Sequence, residues 1–439
     1  MFKETSKELL DFLSKSPTAF HAVENYRQIL NADGFKELLE SEHWDIVPGG
    51  KYYVTRNNTS ILAFKVGTKL DNYSFNIVTS HTDSPTFKVK ENAEIEVKNK
   101  YTQLNTEGYG GMLCATWLDR PLSIAGRVLV SEGNSIVTKL LNIDRDLLMI
   151  PNVAIHMNRA ANDGFKYNLQ VDMLPLLSGG DDRQKDFKQI IADELGVKKE
   201  DILGHDLYLY NRMAPSIWGA NEEFISSGHL DDLQCGFASL KALLAGYNDE
   251  SIDIMACFDN EEVGSGTKQG ADSTLLRDTL IRINNALGKI EEDYHRALAS
   301  SFMLSADNAH AVHPNHPEHT DVTNCTYMNE GVVVKSHAGQ KYTSDGVSMA
   351  VVKSLASGAD VPLQYFANRS DKAGGSTLGN IAMAQASMNA VDIGLPQLAM
   401  HSSYETAGIK DTYYAISLMK ALFDSHIQET STHSLEIKR

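Results

Sequence analysis

Short apolar runs recur along the chain at 74–80, 251–258, 302–306, 331–336 and 396–400, each of strand length. Among them, apolar residues recur at helical spacing over about 231–246, 272–297, 343–357, 376–390 and 408–424. Strand-length runs alternating with amphipathic helices predict an α/β layer, here a mixed, largely parallel sheet flanked by helices. The first thirty residues predict an amphipathic helix, a break at Ser16-Pro17-Thr18 and a second helix.

Between about 86 and 222 the pattern changes. "FKVKENAEIEVKNKYTQL", "LSIAGRVLVSEGNSIVTKLL" and "HDLYLYNR" alternate apolar and polar residues, and only the stretch at 184–196 has helical spacing. This predicts a second, β-rich domain at 86–222, inserted into a discontinuous first domain made of 1–85 and 223–439.

Composition narrows the function. A formal charge of −17 and a pI near 5.3 give no electrostatic footprint for nucleic acid or an anionic membrane, so a small substrate or cationic ligand fits better. The amino terminus carries acids throughout and reads as neither signal peptide nor anchor, and no run of eighteen apolar residues occurs. Cys114, Cys235, Cys257 and Cys325 form no CxxC pair, which suits free thiols in a reducing cytoplasm better than disulfides or a thiolate metal site.

The chemistry lies where the apolar runs stop. "FNIVTS" ends in His81-Thr82-Asp83, "EFISSGHL" leads to Asp231-Asp232, and "IDIMACF" leads to Glu261-Glu262. "SFMLSA" ends in Asp307 and "LPQLAM" in His401. Open α/β sheets bind ligands at the carboxyl ends of their strands, so these runs would deliver two imidazoles and several carboxylates to one rim. Two histidines and three carboxylates, one of them shared, suit a pair of divalent metals. One residue of the Glu pair would then bind metal while the other moves protons. Taken singly, Asp231 or Asp232 reads equally well as a helix N-cap, and the Glu pair as solvated first-turn acids. In extended backbone Asp83 shares a side with His81 and could orient its ring. The histidines at 310, 313, 316 and 319 look like a metal cluster, but Pro314 and Pro317 break any helix that would align them.

"SPTAFHAV", "SHTDSP", "IPNVAIHMNR", "SSGHLDDL", "FDNEEVGS", "SADNAHAVHPN" and "LPQLAMHS" resemble, in order and along nearly the whole chain, the aspartyl aminopeptidase family of two-metal peptidases. The resemblance implies a catalytic domain interrupted by a β-rich domain that mediates assembly, usually into a tetrahedral dodecamer built from dimers. It implies one metal on His81 and Asp307, another on Glu262 and His401, and Asp231 bridging both. Glu261 matches the general base, Asp83 the ring-orienting acid, and His156 a histidine that reaches a neighbouring subunit's site. Gly375 lies in "KAGGSTLG", which resembles the glycine loop and helix start beside the site. The chain departs from the pattern at His229 and Asp232, where family members commonly carry Arg and Asn.

The sequence therefore predicts a cytoplasmic metalloaminopeptidase that removes an acidic amino-terminal residue from peptides, with Lys341 and Lys372 as candidate cations for the substrate carboxylate. Its cofactor would be a pair of divalent ions, zinc first, with manganese and cobalt open. Another hydrolase on the same scaffold, such as a carboxypeptidase or amide deacylase, and a catalytically silent binding protein are the alternatives.

Overall fold

The computed structural model describes residues 1–180 and 186–439. Its main layer is a nine-stranded mixed sheet whose centre is four parallel strands in the order Ser251–Phe258, Ser74–His81, Phe302–Ala306 and Asn389–Gly394. Every residue of the first three is buried, which explains their continuous apolar character. Alternate side chains pack against opposite layers. Val78, Met255, Leu304 and Val391 join one core with helices Phe2–Ser14, Ala19–Ala32, Leu230–Ala245, Gly346–Gly358 and Asp411–Phe423. Ile77, Ile254, Met303 and Ala390 join another with Leu275–Ala286, Glu291–Ala299 and Leu378–Gln385.

Four of the five apolar runs are strands of this sheet. The fifth is not. Pro396–Leu398 belongs to a separate five-stranded sheet, and the large sheet takes Asn389–Gly394, whose start overlaps the end of the helix expected at 376–390. That helix stops at Gln385, and the apolar Ala390, Val391 and Ile393 fill the core as strand residues. The span 272–297 is two helices, separated at Gly288, whose φ of 72° a continuous helix would not accept.

A second sheet takes all its strands from 86 to 211. Its six strands, ordered Ser135–Asn142, Leu122–Glu132, Ile202–Asn211, Thr86–Val97, Tyr101–Tyr109 and Leu176–Gly179, pair entirely antiparallel. It has its own core around Phe87, Leu104, Ile124, Val128, Leu207 and Leu209, capped by helix Phe187–Leu195. The part of the expected helix at 184–185 lies outside the described residues. Ser216–Trp218, inside the 86–222 span, pairs instead with Phe224–Ser227 in the five-stranded sheet, so the six-stranded sheet closes at Asn211.

Candidate metal centre

The register of the parallel strands decides what meets. His81 pairs with Phe258, so the chain leaving one strand through Thr82-Asp83 runs beside the chain leaving the other through Asp259-Asn260. Asp307 follows the next strand directly, and Asp231 and His401 arrive from the adjoining helix start and loop.

Asp231 stands at the middle. One of its oxygens lies 3.4 Å from His81 Nε2 and the other 3.5 Å from His401 Nε2. His401 Nε2 is also 3.4 Å from Glu262 Oε2. Ligand atoms of His81, Asp231 and Asp307 fall within 4.8 Å of one another, as do those of Asp231, Glu262 and His401. Asp231 Oδ1 and Glu262 Oε1 are buried and accept no hydrogen bond, which is the arrangement expected of oxygens reserved for cations. A nitrogen-and-oxygen donor set of this kind fits a divalent metal.

The surroundings fix these donors. His401 Nδ1 donates to the Gly111 carbonyl at 3.0 Å, leaving Nε2 facing the carboxylates. His81 Nδ1 lies 3.1 Å from the Asp83 carbonyl and 3.4 Å from its carboxylate, so the backbone oxygen is the nearer partner of the ring. The Asp83 carboxylate mainly anchors the Glu pair, accepting the Glu261 N–H at 3.1 Å and the Glu262 N–H at 3.2 Å. Glu405 accepts the backbone N–H groups of both Asp231 (3.0 Å) and His401 (2.8 Å). Asp232 accepts the His81 N–H at 3.1 Å, as an amide oxygen would, and burial pushes its carboxyl well up toward the neutral form. Burial lowers the His229 ring to about 4, so it stays neutral where an arginine would not.

Burial also raises the Glu261 carboxyl to about 7 and that of Asp307 to about 6. His401 rises to about 10 because the Asp231 and Glu262 carboxylates outweigh the desolvation of its ring.

The remaining candidates are placed elsewhere. His156 is exposed in the loop after Ile150, beside exposed Val153, Ile155 and Met157. Lys341 donates to the carbonyls of Ala373 and Gly374 at 3.1 and 3.0 Å, so it ties down the loop that carries Gly375, while Lys372 is exposed. His316, Glu318 and His319 lie close together but fully exposed, apart from the central cluster. Sequence reasoning missed four contributors. Lys335 ends the run Val332–Lys335 and buries its ammonium 3.7 Å from Asp307 Oδ2. Its signal was a lysine closing an apolar strand. Glu405, Tyr109 and Gly111 carried only weaker ones: an acid four residues past His401, and a Tyr-Gly-Gly after a strand.

Paired imidazoles and carboxylates on the strand ends of a helix-flanked mixed sheet define a metal-dependent hydrolase. The chain belongs to the Aminopeptidase I zinc metalloprotease (M18) family, which it matches over residues 12–423, and it is a metalloaminopeptidase. It is 48% identical over 425 residues to a probable M18 family aminopeptidase 2 of Clostridium novyi, covering 95% of this chain and 98% of that one. A protein of the same description from Stutzerimonas stutzeri is 39% identical over 431 residues, covering 97% and 99%. Among solved structures, Ape4 in complex with Nbr1 superposes with a TM-score of 0.93 at 35% identity, covering 96% of this chain and 86% of that one. The mApe1 dodecamer of S. cerevisiae gives 0.83 at 28%, covering 96% and 97%.

The raised groups set a pH dependence for metal uptake. Metal-free protein holds protons on Asp307 and Glu261 up to pH about 6 and 7, and on His401 to about 10, and a divalent ion must displace those on its ligands. Affinity should therefore rise from pH 6 to pH 8 in chelator competition, and calorimetry at pH 7 in two buffers of different ionisation enthalpy should show proton release. A pH-independent affinity would mean that these ligands are already deprotonated.

Proposed function

We propose that this chain removes acidic amino-terminal residues from peptides, using two divalent ions per subunit, zinc first, and Glu261 as general base. One observation carries the two-ion reading: each oxygen of the single buried carboxylate of Asp231 faces a different imidazole. His81 and Asp307 would hold one ion, Glu262 and His401 the other, with Asp231 shared. When bound, such a pair supplies Lewis acidity that brings the pKa of water toward 7.

Glu261 then does the proton work. Its carboxyl, pushed up to about 7 by burial, accepts a proton from the attacking water and returns it to the leaving amine. Asp83 fixes its backbone through the 3.1 Å hydrogen bond and so sets where the carboxylate starts. Lys335 donates to the Asn308 carbonyl at 2.8 Å with its buried ammonium 3.7 Å from Asp307, so it steadies Asp307, and the acidic preference rests on the family resemblance. Lys341 acts through the loop it holds.

Assembly is the second part of the reading. The sheet drawn from 86–211 carries a loop with exposed Val153 (54%), Ile155 (48%), Met157 (84%) and Val171 (70%), more apolar surface than an isolated subunit would keep in water. Together with the similarity to the mApe1 dodecamer, this supports self-association through the inserted domain, dimers forming a tetrahedral dodecamer, with His156 entering a neighbour's site. Four free cysteines support a cytoplasmic setting.

The two glutamates should separate. Glu261→Gln should keep its metal while kcat falls by at least about 10²-fold, and Glu262→Gln should lose metal in elemental analysis; equal metal loss would refute the division of roles. In a metal-replete panel, kcat/KM for aspartyl and glutamyl peptides should exceed that for leucyl peptides. A leucyl preference in the native enzyme would refute acidic specificity alone. Inactive His156→Phe and Glu261→Gln subunits, dissociated and reassembled together, should regain some activity, since a mixed interface can join an intact His156 to an intact Glu261. Verified mixed oligomers without activity would exclude donation between subunits.

A further inference from the structure

The inserted sheet does more than lie beside the centre. Its strand Tyr101–Tyr109 ends at the rim, and the residues that follow touch both sides of the ligand cluster. On one side, the Tyr109 hydroxyl donates to Asp83 Oδ2 at 2.6 Å and accepts from Asn260 Nδ2 at 2.8 Å. On the other, the Gly111 carbonyl accepts from His401 Nδ1 at 3.0 Å and the Leu113 N–H donates to the His401 carbonyl at 2.9 Å. Between them Gly110 adopts φ 72°, which a side chain would strain, and a Cβ there would stand a tight 3.1 Å from Glu262 Cβ.

The Tyr109 hydroxyl belongs to a closed set of hydrogen bonds. Asn260, which it meets, accepts from Thr267 Oγ1 and Gln269 Nε2 at 2.8 Å each, so its amide is held in one orientation. Asp83 receives three donors: the Glu261 and Glu262 N–H groups and this phenol. The two N–H groups belong to the residues that Asp83 must position, so they cannot also define where Asp83 sits. Tyr109 supplies an outside reference, being carried on a different sheet. Burial and the Asp83 charge keep it a phenol, and its ring is set edge-on against Tyr208 at 5.7 Å.

Behind this contact lies a cavity of about 390 Å³, with Asp83, Tyr109 and Asn260 on one wall and Lys88, Arg127 and Asp206 among the residues of the inserted sheet that line it. Without the phenol the third donor to Asp83 would be water from that space, free to turn. Hydrogen bonds to a carboxylate are worth about 1.5–3 kcal/mol when the donor is fixed, and outer partners of metal ligands typically carry about 10–100-fold in affinity or activity.

We propose that Tyr109 is a positioning residue of the metal centre: through the Asp83 carboxylate it sets the Glu261–Glu262 backbone, making the inserted sheet a working part of the catalytic machinery. This rests on the metalloaminopeptidase reading above for its kinetic half and on the ligand geometry alone for its metal half.

The test uses the full-length enzyme and the single-atom change Tyr109→Phe. The ring remains, so the melting temperature should stay close to that of the native enzyme. Zinc affinity by chelator competition should weaken about tenfold and kcat should fall about tenfold, while KM changes less than about twofold. Tyr208→Phe, which removes a hydroxyl from the neighbouring ring without touching Asp83, should do neither. In an Asp83→Asn background, Tyr109→Phe should add little to either loss, because neighbours acting as one unit are not additive. Native zinc affinity and kcat in Tyr109→Phe would overturn the proposal. So would an undiminished effect in the Asp83→Asn background, since the hydroxyl would then act by another route. Should the native, metal-replete enzyme hydrolyse no peptide, the functional reading would fail instead, and the zinc affinities would still decide the role of Tyr109.

Discussion

The structure is organised around a crowd of carboxyl groups taken out of water. Asp83, Asp231 and Asp232 are buried together with the side chain of Glu262, beside the part-buried Asp307 and Glu261, and the only ammonium buried among them within the described residues is Lys335. Removing carboxylates from water costs several kcal/mol each unless charge or hydrogen bonds return it. The chain meets part of that cost with fixed donors: the N–H groups of Glu261 and Glu262 on Asp83, of His81 on Asp232, and the Lys335 ammonium near Asp307. The oxygens left over, on Asp231 and Glu262, have none. A divalent metal completes the balance, as membership of a zinc metalloprotease family leads one to expect.

This constraint explains why the sheet is built as it is. Four parallel strands bring their carboxyl ends to one edge, and their continuous burial makes that edge stiff enough to hold like charges together. It also explains Glu405, a buried acid with no place in the ligand cluster. By accepting the backbone N–H groups of Asp231 and His401 together, it locks two members of the cluster from separate segments to one another.

Much of this was legible in the sequence because the signals are local. A run such as "FNIVTS" followed by His-Thr-Asp states both a buried strand and what sits at its end. His81, Asp231, Glu262, Asp307 and His401 were found that way, and the structure brings them together. Errors arose where context overrides local pattern. "LPQLAM" is as apolar as the central strands, yet Asn389–Gly394 takes the place beside Phe302–Ala306, and Pro396, which has no N–H for a central ladder, begins a strand in the smaller sheet. Lys335, Tyr109 and Glu405 were missed because their roles come from partners far along the chain. No spacing rule connects Tyr109 to Asp83 or Lys335 to Asp307.

The adjacent glutamates show how little backbone separates two different environments. Asn260 adopts a left-handed conformation with φ 64°, and Glu261 and Glu262 follow in a single turn of 3₁₀ helix. Successive side chains on such a turn diverge by about a third of a revolution. Glu262 is thereby turned toward His401 at 3.4 Å with its side chain 4% exposed, while Glu261 remains partly accessible to the cleft. Burial raises both carboxyls, and in the division of roles proposed above the enclosed Glu262 needs a cation to stay ionised while the more accessible Glu261 exchanges a proton. Because Asp83 accepts both N–H groups, the backbone of the two residues is held as one unit and the two carboxyl side chains start from fixed neighbouring positions.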